Sequence, residues 1–175
     1  MKIKPQKECE EWLKECLLVF PEIKRKKISI DYKEIKSKKL GYVSARIERK
    51  VDFDPEALLL GEDTRINEKK VKPKDFRIFI NNKFNRINNT ALRKQIVQNV
   101  IIHELLHIMN EDLFTLSKEY NRRKKKKIHI NSFEEEVFNR YNKLRELKSV
   151  ILIQKKEHLD IAIQRILKSI SWFEK

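Results

Sequence analysis

The chain has 175 residues and a formal net charge of +15, from 41 Lys and Arg against 26 Asp and Glu. That length suits one domain with a real hydrophobic core, and no apolar run approaches the roughly 18 residues of a membrane span. With no apolar signal core at the N-terminus either, we expect a cytoplasmic protein without a membrane span. The 2 Gly and 4 Pro argue against glycine-loop nucleotide binders and favour long helices.

Helix and strand periodicities alternate along the first half of the chain. An amphipathic helix is predicted between Pro5 and Pro21, with Cys9 and Cys16 as small buried residues. Alternating strands at 28–32 and 40–47 are expected to pair as a hairpin. Residues 52–75 are expected to form a long irregular excursion, which leads into a third strand at 76–81.

The second half is predicted to be helical. An Asn-rich stretch at 81–89 supplies N-caps for a helix over about 90–110. Helical periodicity dominates again from Ser132 to the end, where no Gly or Pro occurs. The sequence therefore predicts an α+β fold with an N-terminal helix, a mixed sheet of three or slightly more strands, and further helices.

The helix at 90–110 contains His103-Glu104-Leu105-Leu106-His107. Histidines at positions i and i+4 project from one helix face, so both imidazoles can reach one zinc ion. Glu104 lies beside such a metal, where it can take a proton from activated water and pass it to a leaving amine. The spacing is the His-Glu-x-x-His motif of metalloproteases and predicts one Zn²⁺ held by His103 and His107.

A strand, a polar loop and a helix with this motif resemble the zincin metallopeptidases over roughly residues 28–145. The resemblance implies a zincin-like domain over 1–150, with 151–175 as a helical extension packed on it. It also implies that the strand at 77–80 lines the cleft and pairs with an extended peptide or protein substrate. We expect a monomer or a small homo-oligomer.

The third zinc ligand distinguishes the zincin subfamilies. The Gly and third His of metzincins are absent, whereas residues 132–141 resemble the glutamate helix of minimal soluble gluzincins. Glu134 lies within the apolar stripe of this helix and is the first candidate. Glu135 is an alternative, because Glu135 with Asn139 fits the gluzincin spacing, although a capping box begun by Ser132 also explains Glu135.

His129 is the other alternative. His129-Ile-Asn-Ser-Phe133 resembles the His-x-x-x-Phe of SprT-like proteases, which cleave proteins crosslinked to DNA, although Ile130 replaces the family's Gly. Both a DNA-associated protease and a nucleic-acid-binding protein with a non-catalytic zinc site are therefore alternative functions. The candidate contacts to nucleic acid or another acidic partner form one cationic run: Arg122, Arg123, Lys124, Lys125, Lys126 and Lys127.

The last predicted helix has an apolar face over 159–172. Packing on the core explains such a face, and so does contact with another copy of the chain. A third interpretation is that this helix covers the cleft and keeps the enzyme latent, as terminal segments of minimal gluzincins do.

Overall fold

The computed structural model describes residues 5–36, 39–46, 49–52, 67–70, 73–113 and 131–170. Within these ranges, four helices and a three-stranded mixed sheet confirm the predicted α+β class. The elements in chain order are α1 (Pro5–Leu17), β1 (Lys27–Lys33), β2 (Gly41–Arg46), β3 (Arg49–Asp52), β4 (Asn67–Lys70), β5 (Asp75–Asn81), α2 (Thr90–Met109), α3 (Asn131–Leu147) and α4 (Lys156–Ser169).

β5 is the central strand of the sheet, with β1 parallel on one side and β2 antiparallel on the other. The predicted hairpin between β1 and β2 is therefore wrong: the chain crosses β5 between them. The buried side-chain amide of Asn81 holds this crossing by donating to the carbonyls of Ile35 and Lys39, at 3.2 and 3.1 Å. Alternation along two strands shows that each has a buried face, but it does not identify the partner strand.

A second, two-stranded sheet overlaps the segment predicted to be irregular. β3 and β4 pair antiparallel, with Arg49 opposite Lys70 and Asp52 opposite Asn67. Residues 53–66 and 71–72 lie outside the described part of the chain. The interpretation of 52–75 as irregular is thus wrong at Asp52, over Asn67–Lys70 and at Asp75, and it stays a prediction over 53–66 and 71–72.

α2 is the central helix of the molecule. It begins where predicted, because the side chain of Asn89 accepts a hydrogen bond of 3.0 Å from the amide of Leu92. α1, α3 and the sheet all pack against it, so it is apolar on most sides, as expected of a buried helix. Its buried aliphatic residues are Ile96, Val97, Val100, Ile101, Ile102, Leu105, Leu106 and Ile108.

α1 is fastened to α2 by polar contacts as well as by its apolar face. Glu15 accepts hydrogen bonds from Gln98 at 2.7 Å and from Lys94 at 3.0 Å. Cys9 and Cys16 are both fully buried with free thiols, as predicted. These contacts hold the middle of α2 in a fixed position relative to the rest of the fold.

α3 and α4 complete the core from the other side. The predicted stripe of α3 is buried, and Ile163 and Leu167 of α4 join the same apolar cluster. The two helices are separate elements joined by residues 148–155. None of the helices in the described ranges is both long enough and apolar enough to cross a lipid bilayer.

Candidate metal centre

The two motif histidines converge on one point in the structure. The Nε2 atoms of His103 and His107 are 3.3 Å apart. Two nitrogen ligands bound 2.0–2.1 Å from a tetrahedral zinc ion are themselves about 3.3–3.4 Å apart. The separation of the two Nε2 atoms therefore matches that of two ligands on one zinc ion.

A buried carboxylate contacts the Nδ1 atom of His107, on the other side of the ring from Nε2. Oδ2 of Asp112 lies 2.9 Å from Nδ1 of His107, and Asp112 is buried. A proton kept on Nδ1 by this carboxylate leaves the Nε2 lone pair for a metal, which is how carboxylate–histidine–zinc arrangements orient their ligands. The sequence motif did not indicate Asp112, which lies outside its five residues.

The end of α2 explains how Asp112 reaches His107. The amide of Glu111 donates to the carbonyl of Ile108 at 3.3 Å, and that of Asp112 donates to the carbonyl of His107 at 3.1 Å. This is a Schellman motif, with Glu111 in the left-handed conformation at φ 55°. The motif turns the chain back on the last helical turn and so brings the Asp112 side chain beside His107.

An aromatic ring from α3 packs against both imidazoles. The ring centroid of Phe133 is 5.0 Å from that of His103 and 4.7 Å from that of His107. Phe133 is itself fully buried, so its ring is held in place against both imidazoles. The sequence pattern predicted that Phe133 is buried but not that it contacts the histidines.

Glu104 is buried between α2 and β2. Burial raises the pKa of its carboxyl to about 7, although the charges of His107 and Lys39 and the backbone amide of Val43, which donates to it, oppose the rise. A carboxyl that titrates near neutrality can accept a proton and return it within one reaction cycle. The structure thus gives the predicted general base a suitable environment.

A cleft of about 510 Å³ lies between α2 and β2, and both motif histidines and Glu104 line it. Gly41 allows the strand to lie this close to the helix, because a Cβ there would be 2.8 Å from Cγ1 of Val100. None of the described residues that line the cleft belongs to α4.

β2, not β5, presents a strand edge to this cleft. The amide of Asn81 donates to the carbonyl of Leu40, so in the antiparallel register the backbone groups of Gly41, Val43 and Ala45 point away from β5. In the described ranges no strand pairs with that outer edge. The expectation that residues 77–80 pair with substrate is wrong, because β1 and β2 occupy both edges of β5.

The first candidate for the third ligand lies close to the histidine pair. Oε1 of Glu134 is 4.0 Å from Nδ1 of His103, whereas Glu135 is exposed on another face of α3. The side chains in the described ranges do not form a group of three or more His, Cys, Asp or Glu arranged to hold a metal. His129 and the cationic run 122–127 lie outside the described residues, so the predictions for them stay predictions.

Comparisons of this chain with models of protein families, with curated proteins and with solved structures found no match. The resemblance to zincins therefore stays an expectation from the sequence motif, and the function has to be argued from the local geometry. That geometry comprises converging imidazoles, a carboxylate behind one of them, and a buried glutamate beside an open strand edge.

Proposed function

We propose that the protein is a zinc-dependent metallopeptidase. The observation that carries this proposal is the 3.3 Å approach of the His103 and His107 Nε2 atoms in a cleft that also contains the buried carboxyl of Glu104. Histidines that merely fill a core would not need a carboxylate behind them and an open cleft in front. With a third ligand, this arrangement would supply what metal-assisted hydrolysis requires.

Each residue then has a distinct task. His103 and His107 hold the metal, and Asp112 keeps the proton of His107 on Nδ1. A bound zinc ion supplies Lewis acidity, which activates water and polarises a scissile carbonyl. Glu104, buried beside His107 and facing the cleft, would accept the proton of the attacking water and deliver it to the leaving amine nitrogen.

The outer edge of β2 is the proposed site for the substrate backbone. The outward-facing peptide groups of Gly41 and Ala45, and the carbonyl of Val43, are placed to pair with an extended chain. The amide of Val43 already donates to Glu104, so this strand holds the base as well as the substrate. Any unfolded peptide that can adopt an extended conformation is then a candidate substrate.

The third ligand in this proposal is Glu134. Its carboxylate is half-buried and within 4.0 Å of an imidazole nitrogen, but it lies beside Nδ1 of His103 and not beside the two facing Nε2 atoms. Binding the metal would require the Glu134 side chain to move from Nδ1 of His103 to the Nε2 side of the pair. Glu135 is exposed and does not lie at the pair.

The decisive experiment is the substitution Glu104→Gln. We expect it to keep one bound zinc ion per chain and to lower the rate of peptide hydrolysis by about 10²–10⁴-fold, because the amide cannot accept a proton. Zinc content is measured by elemental analysis and hydrolysis with a quenched fluorescent peptide library. Glu135→Gln, an equally isosteric change on the surface, is the control, and full activity of Glu104→Gln would contradict the proposal.

Metal content also identifies the third ligand. We expect Glu134→Ala to lose zinc during dialysis against a weak chelator while Glu135→Ala and His129→Ala retain it. His103→Ala is the positive control for loss. Loss in His129→Ala with retention in Glu134→Ala would identify the SprT-like ligand arrangement instead.

A further inference from the structure

Three consecutive large aliphatic side chains are exposed between α3 and α4. The exposed fraction is 42% for Val150, 86% for Ile151 and 48% for Leu152. Single exposed aliphatic residues are common on protein surfaces, but a contiguous exposed group marks a site of interaction. We refer to residues 150–152 as the apolar tip.

The conformation of the apolar tip is fixed by hydrogen bonds from α3. The Nε of Arg145 donates to the carbonyl of Ile151 at 2.7 Å, and the amide of Val150 donates to the carbonyl of Arg145 at 2.8 Å. Asn142 binds both backbone groups of Ile153, at 2.8 and 3.0 Å. The amide of Val150, the carbonyl of Ile151 and both backbone groups of Ile153 are thus satisfied from the protein side, while the aliphatic side chains are exposed.

Basic residues outnumber acidic ones around the apolar tip. Residues 146–157 contain Lys148, Lys155 and Lys156 against Glu146 and Glu157, and no acidic residue lies within 147–156. Lys155 is exposed, and Lys148 is 43% exposed although its Nζ lies 3.5 Å from a carboxylate oxygen of Glu15. An aliphatic tip between lysines is complementary to a surface that is apolar inside and anionic outside.

We propose that the apolar tip inserts into the interface of an anionic lipid bilayer and attaches the protein peripherally. Aliphatic side chains enter the boundary between headgroups and acyl chains, while the lysines bind acidic headgroups. Because Arg145 and Asn142 already satisfy backbone groups around the tip, its insertion leaves fewer polar groups unpaired. This proposal does not depend on the peptidase function.

The same features argue against a second copy of the chain as the occupant. A stable interface of standard size buries about 800 Å² on each partner, far more than three partly exposed aliphatic side chains offer. A two-fold interface would also bring the lysines of both copies together, and they would repel each other. Neither the small apolar area nor the repulsion between lysines is an obstacle at an anionic lipid surface.

Vesicle flotation tests the proposal with the full chain. We expect wild type to bind phosphatidylcholine vesicles that contain about 30% phosphatidylserine and to be released by high salt. Ile151→Asp should bind at least about tenfold more weakly. Ile161→Asp, the same change at an exposed position of α4 outside the tip, is the control and should bind like wild type.

Three results would overturn the proposal. The first is no binding of wild type, or equal binding to pure phosphatidylcholine. The second is an equal loss in Ile151→Asp and Ile161→Asp, which would show that only net charge matters. The third is a wild-type dimer in light scattering that Ile151→Asp converts to a monomer, because the tip would then be an interface between copies.

A spectroscopic measurement locates the tip directly. Cys9 and Cys16 are buried, so the thiol of Ile151→Cys can be labelled selectively with an environment-sensitive dye. We expect a blue shift and stronger emission when anionic vesicles are added, and no change for a dye at Ile161→Cys. An unchanged spectrum at position 151 would show that the tip remains in water and would overturn the proposal.

Discussion

The C-terminal ends of α2 and α3 use the same backbone geometry for different purposes. Each helix ends in a Schellman motif with a non-glycine residue in the left-handed conformation, Glu111 at φ 55° and Ser149 at φ 52°. After Glu111 the chain places Asp112 in the interior against His107. After Ser149 it places Val150 and the rest of the apolar tip in solvent.

The same turn reverses the chain after both helices, and the location of each helix end determines whether the following side chain is buried or exposed. α2 ends beside α3 and the candidate metal centre, so the returning Asp112 side chain is buried against His107. α3 ends at the periphery, where the apolar tip faces outward. A buried carboxylate and an exposed aliphatic group therefore occupy equivalent positions of one motif.

The largest expected effect comes from removing the ring that joins α3 to the histidine pair. Phe133→Ala deletes a fully buried ring that packs on both imidazoles, so we expect a loss of about 3–5 kcal/mol in the free energy of unfolding. Urea denaturation with and without zinc measures it. Phe133→Leu keeps most of the volume and should cost less than half as much; an equal cost would show that the aromatic ring itself, and not the volume it fills, provides the stability.

The next effect tests the α2 end directly. Asp112→Asn replaces the charged acceptor of the His107 Nδ1–H hydrogen bond with a neutral amide. We therefore expect zinc affinity to fall about 10–100-fold with little change in fold. Competition with a chromogenic chelator measures the affinity. Val150→Asn, at the equivalent position after α3, is the matched control. If both variants bind zinc like wild type, Asp112 does not orient the ligand.

Sequence patterns were sufficient for the elements that depend on local periodicity. The starts of α1 and α2, the position of β5, the buried stripe of α3 and the N-cap at Asn89 all follow from side-chain spacing and capping chemistry, whereas α1 ends at Leu17, before the predicted limit at Pro21. The placement of His103, Glu104 and His107 around one cleft follows in the same way, since a helix determines which of its residues share a face.

Features that depend on which elements meet could not be predicted. The central position of β5 places β2 beside the cleft, and nothing in the alternation of 40–47 indicates that neighbour. Asp112 reaches His107 only because α2 ends at Met109 and turns at Glu111, and helix ends are hard to predict to one residue. The motif therefore indicated which residues line the cleft, but not that Asp112 would contact one of them.

The smallest expected effect distinguishes strain from charge at the two helix ends. Left-handed backbone costs a non-glycine residue about 1–2 kcal/mol, partly offset because glycine is more flexible when unfolded. We expect Glu111→Gly and Ser149→Gly each to raise the free energy of unfolding by about 0.5–1 kcal/mol, in thermal and urea unfolding. A destabilised Glu111→Gly would show that the Glu111 side chain itself holds the turn.

Glu111→Gln separates the two contributions, because it keeps the Cβ but removes a negative charge from the negative end of the α2 dipole. Its effect on the free energy of unfolding should shrink at high salt, because it arises from the charge, whereas the gain of Ser149→Gly should not depend on salt. Zinc affinity should stay unchanged in all three variants, because the hydrogen bond from Asp112 to the backbone carbonyl of His107 survives each change. A change in zinc affinity on Glu111→Gly would mean that the geometry of this turn, and not only the Asp112 carboxylate, controls the metal centre.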